Sequence, residues 1–167
     1  MAKTTKQANY ERVWHIVATL RIMLGYIFLW AFLDKTIGLG FSTKMQHAWV
    51  NGVSPTNGFL SHAQGPFADF FHSLAGSVFV DWVFMLAVLG MGIALIFGIG
   101  LRLAAVGGTV LLVMMWMASM PMTTNPLYDE HIVYAVMLWV FLFAPRKWSL
   151  YDRWVKYPTV KKNPWIQ

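Results

Sequence analysis

Four long apolar segments decide what this chain can fold into. Residues 13–33, 78–99, 103–120 and 126–144 are each close to the about 20 apolar residues that a helix needs to cross a bilayer. Because 57% of the chain is hydrophobic and only 12% is charged, lipid rather than water is its expected solvent. The sequence therefore predicts an all-α integral membrane protein, a four-helix bundle that forms one domain over residues 1–167.

The fourth segment has the clearest start signal. Asn125 is a residue type that caps helices, and Pro126 suits the first position of a helix. Asp129 and Glu130 would then lie in the first turn, where the helix dipole favours negative charge. We therefore expect this helix to begin at Pro126.

The lysine and arginine residues predict the orientation. Ten of the 13 lie before the first segment, between the second and third, or after the fourth. The connection over residues 34–77 holds two, Lys35 and Lys44, and Arg21 lies inside the first segment. The positive-inside rule then places both termini in the cytoplasm, including a tail over residues 146–167, and the connection outside the cell membrane.

Three shorter stretches have amphipathic patterns. Residues 42–51 predict a short helix that ends at Gly52, and residues 149–156 predict an interfacial helix in the tail. Residues 66–75 predict a helix on the membrane surface, because their aromatic and aliphatic residues recur on one face. That apolar stripe consists of Phe67, Phe70, Phe71 and Leu74.

Arg21 is the strongest single signal of a functional residue. It lies about eight residues, or roughly 12 Å, into the first segment, where a lone charge costs at least ~2.5 kcal/mol. Either its side chain snorkels to the headgroups, or it faces the bundle interior and pairs with a carboxylate, a quinone carbonyl or an anionic substrate. Lys35 would share its helix face if the helix continues through Asp34.

Acids and a histidine are expected near Lys35, at the outer membrane level. Such a layer could bind a proton, a cation or a polar headgroup, although solvated acids at helix starts are an equally simple explanation. The candidate catalytic residues are Arg21, Lys35, Glu130 and His131. The candidate substrate- or quinone-binding residues are Arg21, Asp34, Asp81, Asn125, Asp129 and Tyr134.

The composition restricts the cofactors. The chain has no cysteine, and its histidines have no metal-ligand spacing, so we expect no metal site. His15 and His131 lie near opposite ends of their segments and cannot share one haem iron. No flavin motif is present, so any redox chemistry would need a borrowed electron carrier, for which a quinone is the plausible choice. Although the net charge is +6, the basic residues cluster beside apolar segments, so nucleic acid is not an expected partner.

Several short motifs resemble one known family. They are Leu20-Arg21, Leu24-Gly25 and Asp34-Lys35, then residues 49–52, 55–60 and 65–67, and finally Asn125-Pro126, residues 129–132 and Tyr134. Through all four segments the chain resembles the DoxX/DoxD family. The resemblance implies a membrane subunit of thiosulfate:quinone oxidoreductase, which oxidises thiosulfate to tetrathionate and passes the electrons to quinone. It also implies a second, DoxA-type subunit as a partner.

Two other functions remain open from the sequence. The chain could be a non-catalytic accessory or assembly subunit of a membrane redox or respiratory complex, docking through faces rich in small residues such as Gly90, Ala94 and Gly98. It could also be a small proton-coupled transporter that uses the intramembrane arginine and the outer acids. Membrane lipid is an expected partner in every case, and a homo-oligomer is compatible with each.

Overall fold

The computed structural model describes residues 2–122, 125 and 127–167, and these residues form helices and turns without a strand. The α-helices are α1 (Ala2–Ile37), α2 (Asn57–Ser61), α3 (Ala68–Leu74), α4 (Val78–Phe97), α5 (Leu101–Ala118), α6 (Glu130–Phe143), α7 (Tyr151–Trp154) and α8 (Pro158–Lys162). Single-turn 3-10 helices are Met45–His47, Trp49–Asn51, Gly65–Phe67 and Pro164–Ile166. The prediction of an all-α fold is confirmed.

Three helices in the described part of the chain are long and apolar enough to cross a membrane. They are residues Gln7–Ile37 of α1, the whole of α4 and the whole of α5. The first is longer than the predicted 13–33, whereas α4 ends and α5 begins two residues before the predicted positions. The turn between them sets these limits, because Gly98 and Gly100 both adopt the left-handed conformation that interrupts a helix.

The fourth predicted helix begins later than expected. Asp129 caps α6, since its Oδ1 accepts a hydrogen bond from the backbone N–H of His131 at 3.0 Å. Asn125 instead accepts from the backbone N–H of Leu127 at 2.9 Å. The prediction that the helix begins at Pro126 behind an Asn125 cap is therefore wrong, and Pro126 itself lies outside the described residues. The 14 residues of α6 extend about 21 Å, less than the about 30 Å of a bilayer core.

One apolar core joins the four longest helices. α1 packs along α4, α4 along α5 and α5 along α6, while α6 also contacts α1. Each helix contributes buried side chains, among them Leu24 and Phe28, Met91 and Leu95, Ala105 and Leu112, and Leu138 and Phe141. The outer faces are apolar as well, as the exposed Met23, Val106 and Val136 illustrate. Helices that are apolar all round are typical of a lipid environment.

The backbones of α1 and α4 touch at two glycines. A Cβ at Gly25 would lie 2.8 Å from the backbone nitrogen of Ile96, and one at Gly92 would lie 2.9 Å from that of Leu29. Small residues permit this close approach in membrane helices. Of the predicted set, Ala94 and Gly98 are buried, but Gly90 has no neighbouring atom within 4 Å of its Cβ position, and the second close contact with α1 is at Gly92.

The beginning of the connection is less regular than predicted. Residues 42–51 form two 3-10 turns rather than one helix, because the buried Ala48 between them is extended. Gly52, with a φ of 80°, ends the second turn as expected.

The second amphipathic stretch, residues 66–75, packs onto protein. Phe71 is fully buried beside Leu60 of α2 and Ala118 of α5, whereas Phe70 is exposed. The prediction that the apolar stripe faces the membrane surface is therefore wrong for Phe71.

The tail folds back onto the ends of α4 and α5. The predicted helix over residues 149–156 is only the single turn α7, because the residue before Pro158 is disfavoured in a helical conformation and Pro158 begins a new helix. The backbone N–H of Leu150 donates to the carbonyl of Phe97 at 2.8 Å, and Val160 is buried. We call this the tail end of the helices and the opposite side, beside residues 38–77, the connection end.

Candidate functional site

A cavity of about 350 Å³ lies at the connection end. The start of α4, the end of α5, and α2 and α3 form its walls, and apolar side chains such as Phe71, Phe84 and Met114 line it. Its volume is within the range of about 300–1,000 Å³ that is usual for small-molecule sites. The cavity is therefore large enough for a ring-sized ligand.

Lys35 is the charged residue in this lining. Its ammonium forms no hydrogen bond or ion pair with any residue that the structure describes. An unpaired charge in apolar surroundings is unfavourable, so an oxygen atom of a ligand would stabilise it. Lys35 is the candidate that most closely fits a binding role.

Asp34, the residue before Lys35, has a structural role. Its carboxylate is 1% exposed and accepts hydrogen bonds from the hydroxyl of Ser42 at 2.6 Å and from the backbone N–H of Ser42 and Thr43 at 2.9 and 2.8 Å. The backbone N–H of Phe41 adds a longer bond of 3.3 Å. These donors satisfy the buried charge. Asp34 thereby fixes the turn after α1 and does not line the cavity.

Asp81 supports the cavity wall in a similar way. It is 4% exposed, and its Oδ1 accepts hydrogen bonds from the hydroxyls of Ser54 at 2.7 Å and Thr56 at 2.5 Å. Pro55 and Thr56 belong to the cavity lining. Asp81 therefore ties this part of the connection to the first turn of α4 and acts on the cavity through Thr56.

Arg21 lies far from this cavity, at the tail end. It is 3% exposed, and its guanidinium donates to the carbonyl oxygens of Leu95 at 2.9 Å and Trp148 at 2.8 Å. The sequence left open whether this side chain reaches the headgroups or faces the bundle interior, and in the structure it faces the interior. Its partners are backbone carbonyls, however, and not a carboxylate or a ligand. Leu95 is in the last turn of α4, where carbonyls lack helical donors and a cation is favourable.

Arg21 and Lys35 cannot act on one reacting group. They are 14 residues apart on the continuous helix α1, which corresponds to about 21 Å along its axis. The predicted shared helix face does not bring them together, because one side chain lies at each end of the fold.

The candidates on and before α6 form a third location. His131 Nδ1 lies 2.7 Å from Asp129 Oδ2, an arrangement that orients the imidazole. Glu130 is exposed, and the half-buried Tyr134 packs its ring against Phe28 at a centroid distance of 6.2 Å. None of these residues lines the described cavity. The predicted acids, lysine and histidine therefore do not line one common cavity, and whether they act together as one layer stays a prediction.

A smaller recess of about 270 Å³ adjoins the cavity. Phe59 and Ala118 belong to the lining of both, and His62 and Gln64 make this recess more polar. His62 Nδ1 lies 2.7 Å from the carbonyl oxygen of Gly58, which leaves its Nε2 available. The sequence indicated neither Phe59 nor His62 as a site residue. The motif at residues 55–60 includes Phe59, whereas His62 lies outside it and had no signal beyond being a histidine.

Comparisons of the chain with protein-family models, curated proteins and solved structures found no match. The resemblance to the DoxX/DoxD family therefore stays a prediction from the motifs. Among the described residues, no group of three histidine, aspartate or glutamate side chains is arranged to hold a metal ion. The cavity that contains Lys35 is accordingly the site from which a function can best be argued.

Proposed function

We propose that the chain binds a membrane quinone in the cavity at the connection end and works as a quinone-linked oxidoreductase subunit. The observation that carries this proposal is Lys35, whose ammonium has no hydrogen-bond or ion-pair partner among the described residues and lines a cavity of mostly apolar side chains. A quinone combines an apolar ring with carbonyl oxygens that accept hydrogen bonds. The ring therefore matches the apolar walls, and a carbonyl oxygen matches the ammonium of Lys35.

The position of the cavity mouth supports a ligand that is dissolved in lipid. Phe79 and Val83 line the cavity, yet they are 76% and 50% exposed on the surface of the membrane-spanning α4. A ligand that enters beside them would come from the apolar layer of the bilayer. A quinone ring fits the cavity volume, and its isoprenoid tail could remain between the helix surface and lipid.

A bound quinone would supply an acceptor for two electrons and two protons. The role of Lys35 would be to donate a hydrogen bond to a carbonyl oxygen and to stabilise the negative charge that develops there on reduction. Asp81 would hold Thr56 and the adjoining wall in position. By the family resemblance, the electrons would come from two thiosulfate ions that join through a new sulfur–sulfur bond to form tetrathionate.

We also propose that α6 completes a four-helix bundle in the cell membrane, with both termini in the cytoplasm. Support comes from the core, to which α6 contributes the buried Ala135, Leu138 and Phe141, and from its exposed apolar residues Val136 and Phe143. The distribution of lysine and arginine supports the orientation.

Quinone extraction from the purified protein tests the binding proposal. Wild-type protein in mild detergent should retain quinone, because Lys35 and the apolar walls bind both of its parts. Lys35→Met keeps the side-chain length but removes the charge. It should weaken quinone binding at least about tenfold, as expected for one lost charged hydrogen bond of roughly 1.5–3 kcal/mol. Lys44→Met is the matched control, since Lys44 is the other lysine of the connection and is exposed.

Thiosulfate-dependent reduction of added quinone then tests the enzymatic part. Activity in wild-type protein that falls in Lys35→Met would support an oxidoreductase subunit. Retained quinone without such activity would contradict the thiosulfate assignment and favour an accessory subunit. If wild-type protein retains no quinone and binds none when it is added, the proposal is wrong.

A further inference from the structure

The tail has a composition unlike the rest of the chain. Residues 146–167 contain six basic residues and one acid, Asp152. Four of the basic side chains and three aromatic ones are exposed. They are Arg153, Lys156, Lys161 and Lys162, together with Trp148, Tyr157 and Trp165. Basic residues beside exposed aromatic rings are typical of surfaces that contact lipid headgroups.

The tail is held in a fixed position against the helices. Leu150 bonds to the end of α4 as described, and the backbone N–H of Arg102 in α5 lies 3.3 Å from the carbonyl oxygen of Gln167. The Arg102 guanidinium also donates to the carbonyl oxygen of Pro164 at 3.3 Å, and Val160 is 2% exposed. The exposed basic side chains therefore project from a docked segment and not from a free terminus.

This docking places the tail at the depth of the headgroups. α4 ends at Phe97 and α5 begins at Leu101, and both helices are long and apolar enough to span a bilayer. The turn between two spanning helices lies where hydrocarbon meets headgroups. Because the tail packs on this turn, its exposed face lies at the same level.

Few acids neutralise the positive charge at this end. Glu11 forms an ion pair with Lys147 at 2.6 Å, and the other nearby acid, Asp152, is exposed. Arg146 has its guanidinium 4.6 Å from the ring centre of Tyr151, and its Nη1 is buried without a hydrogen-bond partner among the described residues. The potential around the tail is therefore positive, and it would attract anions.

We propose that the exposed face of the tail binds the phosphate groups of anionic phospholipids in the adjacent leaflet. Arg153, Lys156, Lys161 and Lys162 bind the phosphates, while Trp148, Tyr157 and Trp165 insert at the level of the glycerol backbone. The surface potential of an anionic leaflet attracts each such basic residue, and neutral lipid offers no equivalent attraction. This inference does not depend on the quinone proposal.

Lipid binding to the full chain in mild detergent tests the inference. The protein is titrated with phosphatidylglycerol or phosphatidylcholine, and bound lipids are counted by native mass spectrometry. Wild-type protein should prefer phosphatidylglycerol. The variant R153Q/K156Q/K161Q/K162Q should lose that preference at low salt, whereas Lys44→Gln at the connection end should keep it.

Two half variants separate a charge effect from misfolding. R153Q/K156Q and K161Q/K162Q should each remove about half of the preference on a logarithmic scale, with thermal unfolding unchanged because these side chains are exposed. Equal binding of both lipids by wild-type protein would overturn the inference. A preference that survives in the fourfold variant would overturn it as well.

Discussion

Replacing Arg21 by Met tests whether this intramembrane arginine holds the fold together. Its guanidinium joins three parts of the chain, since it projects from α1 and bonds to the carbonyls of Leu95 in α4 and Trp148 in the tail. Methionine has a similar length but no donor. The substitution should therefore leave both carbonyls without a partner in a buried place.

The magnitude follows from those two bonds. A buried acceptor that loses its partner costs roughly 1–3 kcal/mol, so two cost roughly 2–6 kcal/mol. Burial of the methionine side chain offsets about 1.5–3 kcal/mol of this. The expected net loss is about 2 kcal/mol, which for a chain of this size lowers the melting temperature by roughly 4–8 °C.

Thermal unfolding of the full chain in one detergent measures this difference. Arg12→Met is the matched control, because Arg12 is on the same helix but exposed, and its melting temperature should stay near that of wild type. The melting temperature of Arg21→Lys should lie between those of Arg21→Met and wild type. An ammonium retains the charge, but it cannot reach both carbonyls because it lacks the planar geometry of a guanidinium. If Arg21→Met unfolds at the wild-type temperature, the two hydrogen bonds do not stabilise the fold as argued.

Two further pairs of substitutions test the turn at the tail end and the cavity wall. Gly98→Ala should lower the melting temperature, because Gly98 has a φ of 66° and an added Cβ would lie 2.5 Å from the Cβ of Ser149. Gly90 has open space around it, so Gly90→Ala should leave the stability unchanged or raise the free energy of unfolding by roughly 0.5–1 kcal/mol in the same thermal assay. Asp81→Ala should lower quinone retention several-fold by releasing Thr56. Asp81→Asn keeps an acceptor oxygen, so it should lower quinone retention less. Equal retention in both variants and wild type would contradict a positioning role for Asp81.

Helix existence was predictable because apolar length alone determines it, whereas the helix limits depended on local competition. At the start of α6, Asn125 and Asp129 are both good capping residues, and no pattern in the sequence decides between them. Asp129 caps the helix, and its carboxylate also binds the His131 imidazole. The buried Phe71 could not be foreseen either, because an amphipathic stripe has the same spacing whether lipid or protein covers it.

The cavity could not be predicted because its walls come from distant parts of the chain. Lys35 is in the last turn of α1, Thr56 belongs to the connection, and Met114 is near the end of α5. Sequence periodicity describes the faces of one helix at a time, so it contains no information on which faces leave a space between them. Lys35 was identified as a candidate from its charge, but its surroundings became apparent only in three dimensions.

Charge in apolar surroundings has two different explanations in this protein, and they predict opposite experimental results. Arg21 and Asp34 have partners within the fold, so their loss should reduce stability. Lys35 has no hydrogen-bond or ion-pair partner among the described residues. Its loss should therefore remove a ligand contact and, in quinone-free protein, relieve the fold of an unpaired charge. Arg21→Met should therefore have a lower melting temperature than wild type. It should retain as much quinone per folded molecule as wild type, since the cavity is about 21 Å away along α1. With quinone removed from both proteins, Lys35→Met should melt at the wild-type temperature or above it, and it should bind less of the quinone that is then added. If both variants instead lost stability and quinone together, the division of these charges into structural and ligand-binding groups would fail.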